Sequence, residues 1–66
     1  MANIIEGIQA EVERNRELLK AYQGIGPNGA FGATMIKQNI IDAEAAVAHG
    51  DTVEMLRQFQ SLKENN

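Results

Sequence analysis

Gly24-Ile25-Gly26-Pro27-Asn28-Gly29-Ala30-Phe31-Gly32 holds four of the chain's six glycines and its only proline. Helical patterns lie on both sides of it. Glycine and proline are the two poorest helix formers, and proline also lacks a backbone N–H. The stretch therefore divides the chain into an N-terminal helix and a C-terminal helical part, with a Gly-rich loop expected over about 23–32. It is also where backbone N–H groups could stay free beside a helix start, the place where an anion binds.

Working outward, the first helix is expected over about 4–22. Asn3 is a good N-cap, and Glu6 follows at capping-box spacing. Ile5, Ile8, Val12, Asn15, Leu19 and Tyr22 alternate steps of three and four, a heptad seam with one polar member. Asn15 there either pairs with its counterpart across an oligomer or turns to solvent at a gap in the packing. Glu13–Arg16 and Glu17–Lys20 are i,i+3 surface pairs on the other face, each contributing roughly 0.2–0.5 kcal/mol.

The second helix is expected to begin between Ala30 and Ala33 and to run over about 33–49. Met35, Ile36, Ile40, Ala43 and Val47, with Ile41, Ala45 and Ala48 alongside, make a stripe wide enough for more than one neighbour. Small residues at Ala43, Ala45, Ala46 and Ala48 allow another helix to come close. Gly50 stops this helix as a C′ glycine. Asp51 and Glu54 then cap a third helix over about 52–63, with Met55, Leu56, Phe59 and Leu62 on one face and Glu64-Asn65-Asn66 expected to fray. The order Gly50-Asp51 favours a tight corner over a kink in one long helix.

These elements make one all-α domain, 1–66, read as a helical hairpin with a short third helix. Sixty-six residues bury only about 60% of their unfolded surface. Such small scaffolds need disulfides, a metal, very regular packing or partner subunits. There is no cysteine, and His49 alone cannot build a zinc site. The apolar residues, with Phe31, Met35, Ile41 and Met55 all to be placed, exceed what one monomer covers. A homo-oligomeric bundle, dimer or larger, is therefore expected, its interface along Ile5, Ile8, Val12, Asn15, Leu19 and Tyr22.

The net charge of −3 argues against holding a nucleic-acid polymer, which needs a basic surface. No apolar run approaches a membrane span. Cysteine usage and the absence of a leader pattern fit a soluble, cytoplasmic protein with no membrane partner.

Gly24-x-Gly26-x-x-Gly29 matches a dinucleotide-binding pattern, but a helix precedes it where that motif needs a strand. A P-loop would need a lysine directly after the glycines, and none occurs before Lys37. A generic anion site remains open. Gly29, Gly32 and Thr34 would offer N–H groups and a hydroxyl, Lys37 and Arg57 positive charge, and Phe31 or Tyr22 a ring to stack on a base. The competing reading is a turn whose glycines supply positive φ while Ile25 and Phe31 plug the core. Tyr22 at a helix end and His49 in a last helical turn are both ordinary placements. Ser61, the only serine, is placed on an exposed face. No nucleophile, acid/base pair, metal site or cofactor motif emerges, so no catalytic residue is assigned.

The run Gly26-Pro27-x-Gly29-Ala30-Phe31-Gly32-Ala33-x-Met35-Ile36, followed by a helix, Gly50-Asp51 and Val53-x-Met55-Leu56, resembles short helical proteins encoded by bacteriophages and prophages. The resemblance transfers no functional residue. It implies action by binding in the host cytoplasm, in a regulatory or counter-defence role. One form is an oligomer that sequesters a phosphorylated, nucleotide-type small molecule at the Gly-rich stretch. The alternative is an inhibitor or adaptor that holds a host protein through a helical face. A small hydrolase or transferase is the third and least supported reading.

Overall fold

A computed structural model describes residues 3–66; Met1 and Ala2, which the domain 1–66 includes, lie outside the described residues. The chain forms α1 (Ile4–Ile25), a 3-10 turn (Pro27–Gly29), α2 (Ala30–His49) and α3 (Thr52–Glu64). No strand occurs among the described residues, so the chain is all-α. The third helix is not an appendage, because every helix packs on both others in a three-helix bundle. The bundle measures 37 × 21 × 16 Å. Its long dimension follows from the 22 residues of α1 at about 1.5 Å each.

Each boundary has a local cause. The Asn3 side chain accepts the Glu6 N–H at 2.9 Å and so caps α1. This helix runs three residues beyond the expected Tyr22. Gly24 weakens a helix by about 1 kcal/mol relative to alanine without ending it. The end comes at Gly26, where φ 87° and ψ −146° lie in a region that only glycine occupies readily. The expected loop over 23–32 thus shrinks to Gly26 and the 3-10 turn, and α2 begins at Ala30. At the other end of α2, Gly50 takes φ 67°, its N–H donates to the Val47 carbonyl, and the Asp51 N–H donates to that of Ala46. These are the paired bonds of a Schellman stop. Asp51 then accepts the Glu54 N–H and starts α3, making a corner.

The core joins Ile8 and Val12 of α1, Ile36, Ile40 and Ala43 of α2, and Met55 and Leu62 of α3. This corrects the oligomer interface expected along α1. Ile8, Val12 and Asn15 are buried within their own chain, and Leu19 and Tyr22 pack on the same core. Only Ile5 of that set is exposed. Heptad spacing reports that a helix packs on helices, and here the partners are α2 and α3 of the same chain.

Asn15 is fully buried and takes neither of the expected roles. Its amide nitrogen donates to the Leu62 carbonyl at 3.2 Å and to the Glu11 carbonyl at 2.7 Å. Arg14 donates to the same Leu62 carbonyl at 2.7 Å. The last carbonyls of a helix have no intrahelical partner, so α1 caps the C-terminal end of α3 with an amide and a cation. The Asn65 side chain donates to Asn15 Oδ1 at 2.8 Å and to Asn39 Oδ1 of α2 at 2.9 Å. Asn65 is therefore pinned where fraying was expected. Ser61 also donates to Asn39 Oδ1, and Asn39 donates to Gln58. Ser61 is half-buried and engaged, not exposed as the sequence suggested. No buried side-chain nitrogen or oxygen lacks a partner among the described residues.

Replacing Asn15 with alanine would delete its bonds to the Leu62 and Glu11 carbonyls and the one it accepts from Asn65, while Arg14 and Asn39 would still hold Leu62 and Asn65. Asn15→Ala should lower unfolding stability by about 1–3 kcal/mol, since each intramolecular hydrogen bond lost contributes about 0.5–1.5 kcal/mol. Urea denaturation followed by circular dichroism measures it, and a loss under about 0.5 kcal/mol, the range of an ordinary surface substitution, would refute the network's structural role.

Candidate functional site

The turn between α1 and α2 is built by close approach. A Cβ placed on Gly29 would lie 2.2 Å from the Tyr22 carbonyl oxygen, and one on Gly32 would lie 2.4 Å from the Tyr22 ring. Both residues are glycine because the end of α1 leaves no room for a side chain. Neither has a positive φ, a property confined to Gly26 and Gly50 among the described residues. The Tyr22 hydroxyl donates to the Asn66 carbonyl and ties the segment just past α3 to this corner.

That construction engages two of the donors expected to hold an anion, the Gly29 N–H and the Thr34 hydroxyl. The Gly29 N–H donates to the Gly26 carbonyl and the Ala30 N–H to that of Pro27. The Thr34 hydroxyl donates to the Ala30 carbonyl at 3.0 Å. Phe31, 79% exposed, plugs nothing. Arg57 is paired with Glu54 at 3.3 Å. It adjoins Gln58, whose partner Asn39 lies about 15 Å along α2 from Gly29. The seven candidate ligand residues therefore do not converge. Tyr22, Gly29 and Gly32 form one packed joint, Phe31 projects from α2, and Arg57 is remote.

Thr34 and Lys37 do share a shallow groove of about 400 Å³ with Gln23, Gly26, Pro27 and Ala30. Among the described residues Lys37 has no ion-pair partner. The other cations are engaged: Arg14 with Glu11, Arg16 with Glu44, Lys20 with Glu17, Arg57 with Glu54, and Lys63 over the Phe59 ring. Arg16 reaches across to α2 in place of the expected Glu13.

The outer face of α2 is a surface that helix spacing alone did not single out. Phe31, Thr34, Gln38, Ile41, Ala45 and Ala48 are all exposed, and they repeat at alternating steps of three and four. This second stripe points away from the buried one formed by Ala33, Ile36, Ile40, Ala43 and Ala46. It contains no charged residue. Met35, 59% exposed, stands one turn from Phe31. The signal was present in the width of the apolar stripe of α2, which two neighbours in the same chain cover only in part.

Among the described residues no group of three His, Cys, Asp or Glu could hold a metal ion, and no helix is long and apolar enough to cross a membrane. No family model, curated protein or solved structure matches this chain.

The two kinds of glycine separate by substitution. Nothing lies within 4 Å of a Cβ on Gly24, so Gly24→Ala should raise stability by roughly 0.5–1 kcal/mol, the cost of glycine in a helix. Gly29→Ala must push the Tyr22 backbone aside and should cost about 1–3 kcal/mol as an overpacked joint. Thermal melts of the two variants should move in opposite directions; a shared direction would contradict this account of the turn.

Proposed function

We propose that this chain is a non-enzymatic binding protein that works through protein contact at the outer face of α2. The observation that carries the reading is the exposed, uncharged stripe from Phe31 to Ala48. Solvent-facing helix positions are ordinarily charged or polar, and an amphipathic helix lays its apolar face on a partner. Exposed aromatic and methionine side chains such as Phe31 and Met35 are the residue types that anchor interfaces. The non-enzymatic part draws support from the hydroxyls of Ser61 and Tyr22, both committed to structural hydrogen bonds. Taken with the likeness to short phage proteins, the partner we propose is a host protein met in the cytoplasm, in a regulatory or counter-defence role.

Capture of a phosphorylated small molecule is the second reading. Lys37 favours it, as a cation without an ion-pair partner among the described residues, in a groove with Gln23 and Thr34. It would give a rise in melting temperature with a nucleotide panel, lost in Lys37→Ala.

Ile41→Glu places a charge in the middle of the stripe, where the native side chain is already half exposed. The melting temperature should stay within a few degrees, as for most surface changes. Recovery of the host partner by affinity capture should fall to background. Unchanged recovery would remove the outer face of α2 from this role.

A further inference from the structure

The outer face of α2 is complementary to itself. Laid antiparallel on a second copy, the stripe closes into layers in which the two residue numbers sum to 79: Phe31 meets Ala48, Thr34 meets Ala45, and Gln38 meets Ile41. The largest side chain of the stripe thus faces its smallest, and each layer recurs by two-fold symmetry. In a coiled-coil contact, positions flanking the seam on one side approach each other across it. In this register those positions are Lys37 and Glu44, so Lys37 meets Glu44 of the second copy, twice. The two charges suit their places. Lys37 has no ion-pair partner among the described residues, and Glu44 pairs with Arg16 through one carboxylate oxygen, Oε2. A parallel alignment would instead set Phe31 beside Phe31 and lose the match of large with small.

We propose that α2 pairs antiparallel with α2 of a second copy of this chain, with Phe31 seated over Ala48 and Lys37 paired with Glu44. The inference rests on the reading of this face as a protein-binding surface and names its first occupant. Two bundles then stand back to back, and the stripe left bare by α1 and α3 is covered. This places the self-association on α2 and leaves α1 wholly to the core of its own chain. Such an interface is isologous, as two-fold dimers require. Host-protein capture would then use the dimer, or compete with it for the same stripe.

Sedimentation equilibrium of the purified chain tests the pairing. The wild type should show a species of twice the 7.2 kDa chain mass. Ala45→Glu adds a charge to an exposed position of the monomer, so the bundle should still fold, as a circular dichroism melt can verify. Buried in the seam twice over, that charge should weaken the dimer by roughly 100-fold or more. Lys37→Glu and Glu44→Lys should each weaken it by setting like charges opposite, and the double exchange K37E/E44K should restore it. A wild type that stays monomeric overturns the pairing, as does dimerisation indifferent to Ala45→Glu, or a double exchange that fails to recover. The functional reading is judged apart, by affinity capture: a monomer that still takes its partner through Ile41 overturns the pairing alone. If substitutions in the stripe change neither mass nor capture, both readings fall.

Discussion

Everything in this bundle depends on one buried amide, Asn15. An apolar residue there would have left the register of the three helices to apolar packing and the two corners alone. The asparagine instead must be matched, because a buried amide without partners costs more than the pair is worth when made. It is matched by the Leu62 carbonyl near the end of α3 and by Asn65, which also reaches Asn39 of α2. One side chain in the middle of α1 therefore fixes where α3 ends and how far along α2 it sits. Ile8, Leu62 and Ala43 supply the burial that drives collapse, while the amides select one register from several that are similarly greasy.

That division explains what could be read from the sequence. Helix identity was plain, since Asn3, Gly50 and Asp51 are local signals that act within a few residues, and each operates as its type suggests. The end of α1 was less plain, because Gly24 looks like a breaker while Gly26 is the residue whose backbone needs glycine. The two differ in φ, which composition does not record. Asn15 was visible as the odd member of a heptad, but its partners lie some fifty residues away on α3, and no spacing within α1 points to them. The same blindness sent the α1 seam to a second molecule. Periodicity identifies a buried face, whereas the identity of what buries it is a long-range property.

The candidate site shows this limit more sharply. Glycines after a helix suggested free N–H groups for an anion. In the folded chain Gly29 and Gly32 are small so that Tyr22 can lie against them, and the turn bonds its own donors. Lys37 alone of the proposed cations stays uncommitted in the neighbouring groove. Meanwhile Ala45 and Ala48, grouped in the sequence with Ala43 and Ala46 as contact residues, divide between two faces. Ala43 and Ala46 let the bundle close, and Ala45 and Ala48 lie outside it. Four alanines in six residues belong to two surfaces, separated by the 100° step of the helix.

The 3-10 turn has a bearing on how this chain ages. Asn28-Gly29 is the dipeptide in which a side-chain amide is most readily lost, through attack of the following backbone nitrogen on the asparagine carbonyl to give a cyclic imide. Here that nitrogen is on buried Gly29, its N–H held by the Gly26 carbonyl at 2.9 Å, beneath the backbone of Tyr22. Cyclisation needs the turn to open and the nitrogen to swing free. Chemical ageing at Asn28 is thereby gated by local unfolding at the α1–α2 corner, and the slow appearance of an added negative charge in stored protein becomes a clock for how often that corner comes apart.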